Sequence, residues 1–252
     1  MCTVVIRIPE NTAQPIRLLA VRDEDPNRPW NPLGEWWPQQ PQIAGVQDRL
    51  AGGAWLAADP AAGRLSVLLN RHGAPDLPAE EIASRGGIVL DSVADRPLPD
   101  DPRTMGFNLV RVAAGQAEHQ AELVSWDGHE LRRTPLPPGT HMIAHGDLDD
   151  AETPRIVAWR DAFASEPTEG PADGGEAWWH PWLDVLERST SLSPQDDRAI
   201  IRDNRTHGYP TLSLLACVAS ISRTATDVRY AQLDEPGTWS PLDFSSPGAT
   251  AG

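Results

Sequence analysis

The chain has 252 residues, 40% of them hydrophobic, which suits one large layered domain, or at most two, with a real core. A formal net charge of −15 repels phosphate backbones and anionic lipid surfaces, so nucleic acid and membrane insertion are disfavoured and a small-molecule partner is expected. All 21 basic residues are Arg, which excludes lysine Schiff-base and lysine general-base chemistry.

The opening Val4, Ile6 and Ile8 alternate as in a strand that begins at Cys2. A second apolar run, Ile16 to Val21, ends in Arg22-Asp23-Glu24 and is broken by Asp25-Pro26-Asn27-Arg28-Pro29. From Pro26 to Pro41 the chain is too proline-broken for regular structure and too aromatic for disorder, with Trp30, Trp36 and Trp37, so an ordered loop is predicted. Gly52 to Ala57 and Arg64 to Asn70 read as a hairpin turned by Asp59-Pro60-Ala61-Ala62-Gly63. A helix is predicted between Pro78 and Ala94, weakest at Gly86-Gly87. Strands are predicted over Phe107 to Val112, His119 to Trp126 and Glu130 to Thr134, the last two joined by Asp127-Gly128, and another over Gly139 to His145.

Helical character follows over Ala151 to Ala164 and Ala177 to Arg188, separated by an acidic Gly/Pro-rich linker, Ser165 to Gly175. Pro194 to Asn204 is predicted as a third helix, with Pro in its first turn and Asp196-Asp197 near its start. Strands over Thr211 to Ser220 and Asp227 to Leu233 precede a Pro/Ser/Gly tail. Strands, then helices, then strands again predict an antiparallel-rich α+β fold, a single domain over residues 1–245 with a flexible tail over 246–252.

One residue, Cys2, carries the candidate nucleophilic chemistry. Removal of Met1 would put a thiol and a free α-amine on Cys2, with ordinary pKa values of about 8.5 and about 7.7–8, close enough for the amine to accept the thiol's proton near neutral pH. The other cysteine, Cys217, lies in the apolar run Leu214-Leu215-Ala216-Cys217-Val218 and reads as a buried small hydrophobe. Two cysteines are too few for a disulfide framework or a cysteine zinc site. His141 and His145 are four apart, which suits a metal only on a helix, and that stretch reads as extended; neither metal nor cofactor is expected. No charged segment leads into an apolar one at the start, and no apolar run approaches the roughly 18 residues of a bilayer span, so the expected location is the cytoplasm.

Several pieces, in order along most of the chain, resemble the Asn-Arg-Asp-Glu (NRDE) family, also called the transport and Golgi organisation protein 2 family. They are Met1-Cys2-Thr3, Leu18 to Glu24 with Arg28-Pro29 after it, Gly52-Gly53-Ala54-Trp55-Leu56, Gly63-Arg64 leading to Leu69-Asn70, Ser84-Arg85-Gly86, and Gly106-Phe107-Asn108-Leu109. The resemblance implies kinship with N-terminal-nucleophile (Ntn) hydrolases and hence a four-layer αββα sandwich of two antiparallel sheets. It also implies that Arg22 and Asp23 flank the thiol and the amine, and that Asn70 helps bind a tetrahedral oxyanion. Without the resemblance, Arg22 and Asp23 would read as an ion pair at a strand end and Asn70 as a turn residue.

The chain departs from the pattern at four places. Val21 stands where the family's name-giving Asn usually sits, Ala54 replaces a usual Thr, Pro210 occupies the position of an expected Arg, and His145 falls where an Asn is usual. In a changed mechanism His145 would assist proton transfer; otherwise it is a surface residue near a strand end. The leading expectation is therefore a cysteine amidohydrolase or acyltransferase working through a Cys2 thioester. The alternative is a noncatalytic carrier for haem or an acyl ligand, with Trp30, Trp36 and Trp37 lining an apolar pocket.

Overall fold

The computed structural model describes residues 2–115, 119–169 and 178–247. Two antiparallel sheets carry the fold. The first has five strands, built from β1 (Thr3–Ile8), β2 (Ile16–Glu24), β10 (Gly139–Ile143), β11 (Leu212–Ile221) and β12 (Thr226–Gln232), in the order β10-β1-β2-β11-β12. The second has seven, in simple chain order: β3 (Trp30–Gly34), β4 (Ala44–Asp48), β5 (Ala54–Asp59), β6 (Arg64–Asn70), β7 (Phe107–Ala114), β8 (His119–Trp126) and β9 (Leu131–Pro135). Among the described residues three α-helices accompany them: α1 (Gly86–Val93), α2 (Pro154–Ser165) and α3 (His180–Ser189). Among the described residues, no helix is long and apolar enough to cross a membrane.

Side-chain alternation along the strands decides what each face meets. On β1 and β2, Val4, Ile6, Ile8, Ile16, Leu18 and Ala20 share one core cluster with Leu56, Leu65, Val67, Leu69 and Val110 of the second sheet. The intervening Val5, Leu19 and Val21 join a different cluster with Ile156 and Phe163 of α2 and Trp182, Val185 and Leu186 of α3. The far face of the second sheet gives Ala57, Leu68, Leu109 and Val124 to a third cluster, with Ile88, Val89 and Val93 of α1. Strands with both faces buried are near-continuously apolar, and β11 is buried at all ten positions with Ser213 and Ser220 as its polar exceptions.

Arg7 ties β1 to the end of α2. Its guanidinium donates to the carbonyls of Phe163, Ala164 and Glu166, which lie in the last turn and at the C-cap of that helix. A cation there satisfies orphaned carbonyls and complements the helix dipole. The Trp178, Trp179 and Trp182 group is buried beside it.

The strands fall where the alternation and turn residues predicted them, with two differences, and the first predicted helix differs as well. The Trp-rich stretch is partly regular: Trp30–Gly34 forms β3, an edge strand paired with β4. β4 itself carries no strong strand signal, because Gly45 interrupts it. A Cβ at Gly45 would lie 2.5 Å from the Leu56 carbonyl oxygen, so the close approach of β5 demands the residue that weakens the propensity. The predicted helix from Pro78 is a short 3-10 turn over Ala79–Glu81 followed by α1, with Gly86-Gly87 starting the helix instead of weakening its middle.

The predicted helix over Pro194 to Asn204 does not form. Asp196 accepts hydrogen bonds from the Arg198 backbone N–H and guanidinium, local bonds that favour turns over a helical ladder. The Arg202 N–H goes to Ser213 Oγ and the Asp203 N–H to the Pro194 carbonyl. Most of the expected linker over Ser165 to Gly175 and of the expected tail, residues 170–175 and 248–252, lies outside the described residues. The chain before the tail returns to the sheet through the paired Tyr230 and Ser245.

Candidate active site

Cys2 stands directly before β1, whose Thr3 pairs with Val21 of β2. Continued one residue, that register sets Cys2 beside Arg22, and the period of two puts both on the side shared by the two sheets. Cys2 is buried with that core, and the Arg22 guanidinium lies 5.8 Å from the centroid of the Trp55 ring on the opposing sheet. The Cys2 thiol donates to the Asp23 carbonyl oxygen at 3.6 Å. Burial raises the Cys2 pKa and the Asp23 charge adds to this, while the Asp23 hydrogen bond and the Arg22 charge work in the opposite direction. A raised pKa favours the protonated thiol as the resting form.

The Asp23 carboxylate belongs to the other side of β2. It accepts from Ser213 Oγ at 2.6 Å and from Asn204 Nδ2 at 3.4 Å. Asn204 also donates to Thr211 Oγ1 and accepts from Arg202 Nε. Arg155, buried in the first turn of α2, donates to Thr3 Oγ1 at 3.2 Å, and burial lowers its pKa to about 10 against the opposing pull of Asp23.

A cleft of about 420 Å³ opens over the thiol. Cys2, Arg22, Asp23 and Glu24 form one side. Asp48, Ala54, Trp55, Leu68 and Asn70 come from the second sheet, and Ser84, Arg85 and Gly86 from the segment entering α1. Arg28 also lines it, bonded to Asp48 at 2.6 Å. Among the described residues, Arg22 Nη1 and Trp55 Nε1 are buried donors without a hydrogen-bond partner, and both residues line this cleft. Buried donors are nearly always satisfied, so these two orphans are exceptions among the residues around the thiol.

Of the sequence-predicted site residues, Cys2, Arg22, Asp23 and Asn70 are brought together in the cleft. His145 is not: it lines a separate cavity of about 220 Å³ with Arg155, Arg202, Asn204, His207 and Tyr209. Burial, followed by the charges of Arg155 and His72, lowers its pKa to about 4, which favours the neutral imidazole at pH 7. It follows the end of β10 and stacks edge-on against His72. His141, within β10, is engaged at both ring nitrogens, by Asp149 Oδ2 and the Pro137 carbonyl.

The predicted tryptophan wall is also elsewhere. Trp30 donates to the Tyr230 hydroxyl, Trp36 to the Pro32 carbonyl and Trp37 to the Gly52 carbonyl, and none of the three lines the cleft. Trp55 takes that place, within the quoted Gly52 to Leu56 stretch. Arg85 likewise stands in a quoted motif, but Arg155, Ser213 and Asn204 had no local signal. Cys217 is fully buried, as its surroundings predicted.

No curated protein matches the chain. Residues 1–216 match the family model described as Transport and Golgi organisation 2, and the chain belongs to that family.

Proposed function

We propose that the protein is an N-terminal-nucleophile-type cysteine enzyme that cleaves or exchanges an amide-linked acyl group, built on an αββα sandwich of the Ntn kind. The layering is supported by one core cluster shared between the sheets and by helices packed on both outer faces. The observation that carries the chemistry is the convergence of the Cys2 thiol, the orphaned donors of Arg22 and Trp55, and Asn70 on one cleft.

With Met1 removed, the Cys2 α-amine takes the thiol proton and the thiolate attacks the substrate carbonyl. The tetrahedral oxyanion is held by amide and guanidinium donors; an Asn donor in such a role is worth about 3–4 kcal/mol. Collapse breaks the C–N bond, the departing amine takes the proton back from the ammonium, and a thioester remains on Cys2. Water, or an acceptor amine, then attacks the thioester and regenerates the thiol. Arg22 stabilises the thiolate from the same side of the sheet, and Asp23, fixed by Ser213 and Asn204, orients the ammonium.

The test is the intact mass of protein from its native host, followed by turnover of a panel of N-acyl amides. A mature chain starting at Cys2, with turnover abolished in Cys2→Ala, supports the reading. A retained Met1, or wild-type turnover in Cys2→Ala, overturns it and favours a carrier.

A further inference from the structure

Every arginine of the cleft but one is matched by a carboxylate. Arg28 sits on Asp48 at 2.6 Å and reaches Glu24 at 3.9 Å, and Arg22 reaches Glu24 at 3.5 Å. Arg85 has no carboxylate within ion-pair distance among the described residues. Its guanidinium donates from Nη1 to the Gly106 carbonyl oxygen at 2.9 Å. In a protein of net charge −15, a half-buried cation left without a counter-charge at the edge of a cleft is a costly arrangement. Burial lowers its pKa, with Glu24 opposing and Arg28 adding to the shift, and the Cys2 sulfur is close enough to act on it.

The position is built to be rigid. Gly53 and Gly86 touch backbone to backbone: a Cβ at Gly53 would lie 2.2 Å from the Gly86 carbonyl carbon, and one at Gly86 2.9 Å from the Gly53 Cα. This contact locks the segment carrying Arg85 against the start of β5, which supplies Ala54 and Trp55 to the same cleft. The paired Ala83 and Thr104 hold it from the other end. A guanidinium so fixed loses little freedom when it binds, and its planar fork matches a carboxylate.

We propose that Arg85 is the specificity-determining residue of this cleft and that the substrate is an acyl amide bearing a carboxylate, which Arg85 pairs while the scissile carbonyl lies at Cys2. This rests on the enzymatic reading above for the reaction, but not for the binding.

The experiment uses processed full-length protein and two pairs of probes. N-hexanoylglycine against N-hexanoylglycinamide places the charge on the leaving group, and N-butyladipamic acid against its terminal primary amide places it on the acyl group. Turnover is measured in the wild type, Arg85→Gln and Arg85→Lys, and binding to Cys2→Ala, with and without Arg85→Gln, by calorimetry. The expected result is that the acid of one pair has a KM and a Kd at least 10-fold below its neutral partner, that Arg85→Gln closes this gap, and that Arg85→Lys restores part of it. Cys2-dependent turnover with equal KM values for acid and neutral members would overturn the role of Arg85 and leave the enzyme standing. Acid-selective, Arg85-dependent binding without any Cys2-dependent turnover would do the reverse. Absence of both would overturn both.

Discussion

Arg22 and Asp23 are consecutive on β2 yet serve opposite faces of the five-stranded sheet. Arg22 meets Trp55 between the sheets, and Asp23 meets Ser213 and Asn204 on the helix side. The alternation of a strand thereby lets two neighbouring residues act from different sides of its end, where Cys2 stands.

That arrangement makes Arg22 the group whose removal the thiol feels first. Arg22→Met keeps the volume and removes the charge that draws the Cys2 pKa downward. The pH profile of Cys2 alkylation should move to higher pH, and turnover at pH 7 should fall about 10- to 100-fold, since charge-assisted contacts are worth about 1.5–3 kcal/mol. An unchanged alkylation profile would remove Arg22 from the role of thiolate partner.

Asp23 anchors a buried polar cluster. Asp23→Ala removes the 2.6 Å acceptor of Ser213 and one of the two acceptors of Asn204, and takes from Arg155 the charge that most favours its protonated form. Leaving buried donors without their acceptor costs about 1–3 kcal/mol. Urea denaturation should show a loss of that order, with Asp23→Asn losing less.

The two thiols should differ in reactivity. Cys2 lines the cleft, whereas Cys217 is fully buried in β11 and burial drives its pKa far up. Iodoacetamide on native protein should label Cys2 alone, and Cys217 only after denaturation, as read by peptide mass mapping.

His145 provides a pH test with a defined sign. Its folded pKa, about 4, lies below the ordinary 6.5, so its contribution to stability is complete above pH 6.5 and is lost as pH falls from there toward 4. His145→Asn should lose less stability than wild type between pH 7 and pH 4.5, measured as the shift in urea midpoint. An identical pH dependence in the two proteins would place the titration elsewhere.

Gly53→Ala tests the backbone contact behind Arg85. The added methyl meets the Gly86 backbone, which cannot move aside as a side chain could. Overpacking of this kind costs about 1–3 kcal/mol, so the thermal midpoint should fall, whereas Gly87→Ala, with open space around its Cβ position, should be tolerated.

Much of the fold was legible locally. Alternation of apolar residues located β1, β2 and the strands from β5 to β12, Asp127-Gly128 located a hairpin, and the apolar surroundings of Cys217 predicted its burial. Each of these signals is contained within a few residues, where strand periodicity and turn chemistry act. The placement of Arg22 and Asp23 at the end of the second strand, beside Cys2, was legible for the same reason, whereas their candidacy as site residues came from the family resemblance. The tertiary structure decided the rest. β4 was hidden by Gly45, which exists to admit β5, and the segment from Pro194 to Asn204 was drawn out of a helix by bonds to Ser213 and by its own Asp196–Arg198 pair. Asp23 finds Ser213 190 residues away, Trp30 and Trp37 bond to Tyr230 and Gly52, remote in the chain, and His145 lines a cavity with Arg202 and Asn204. Sequence spacing fixes which way a side chain can point along its own strand; what it meets there depends on the register of strands and loops remote in the chain, and that is settled only when the two sheets pack.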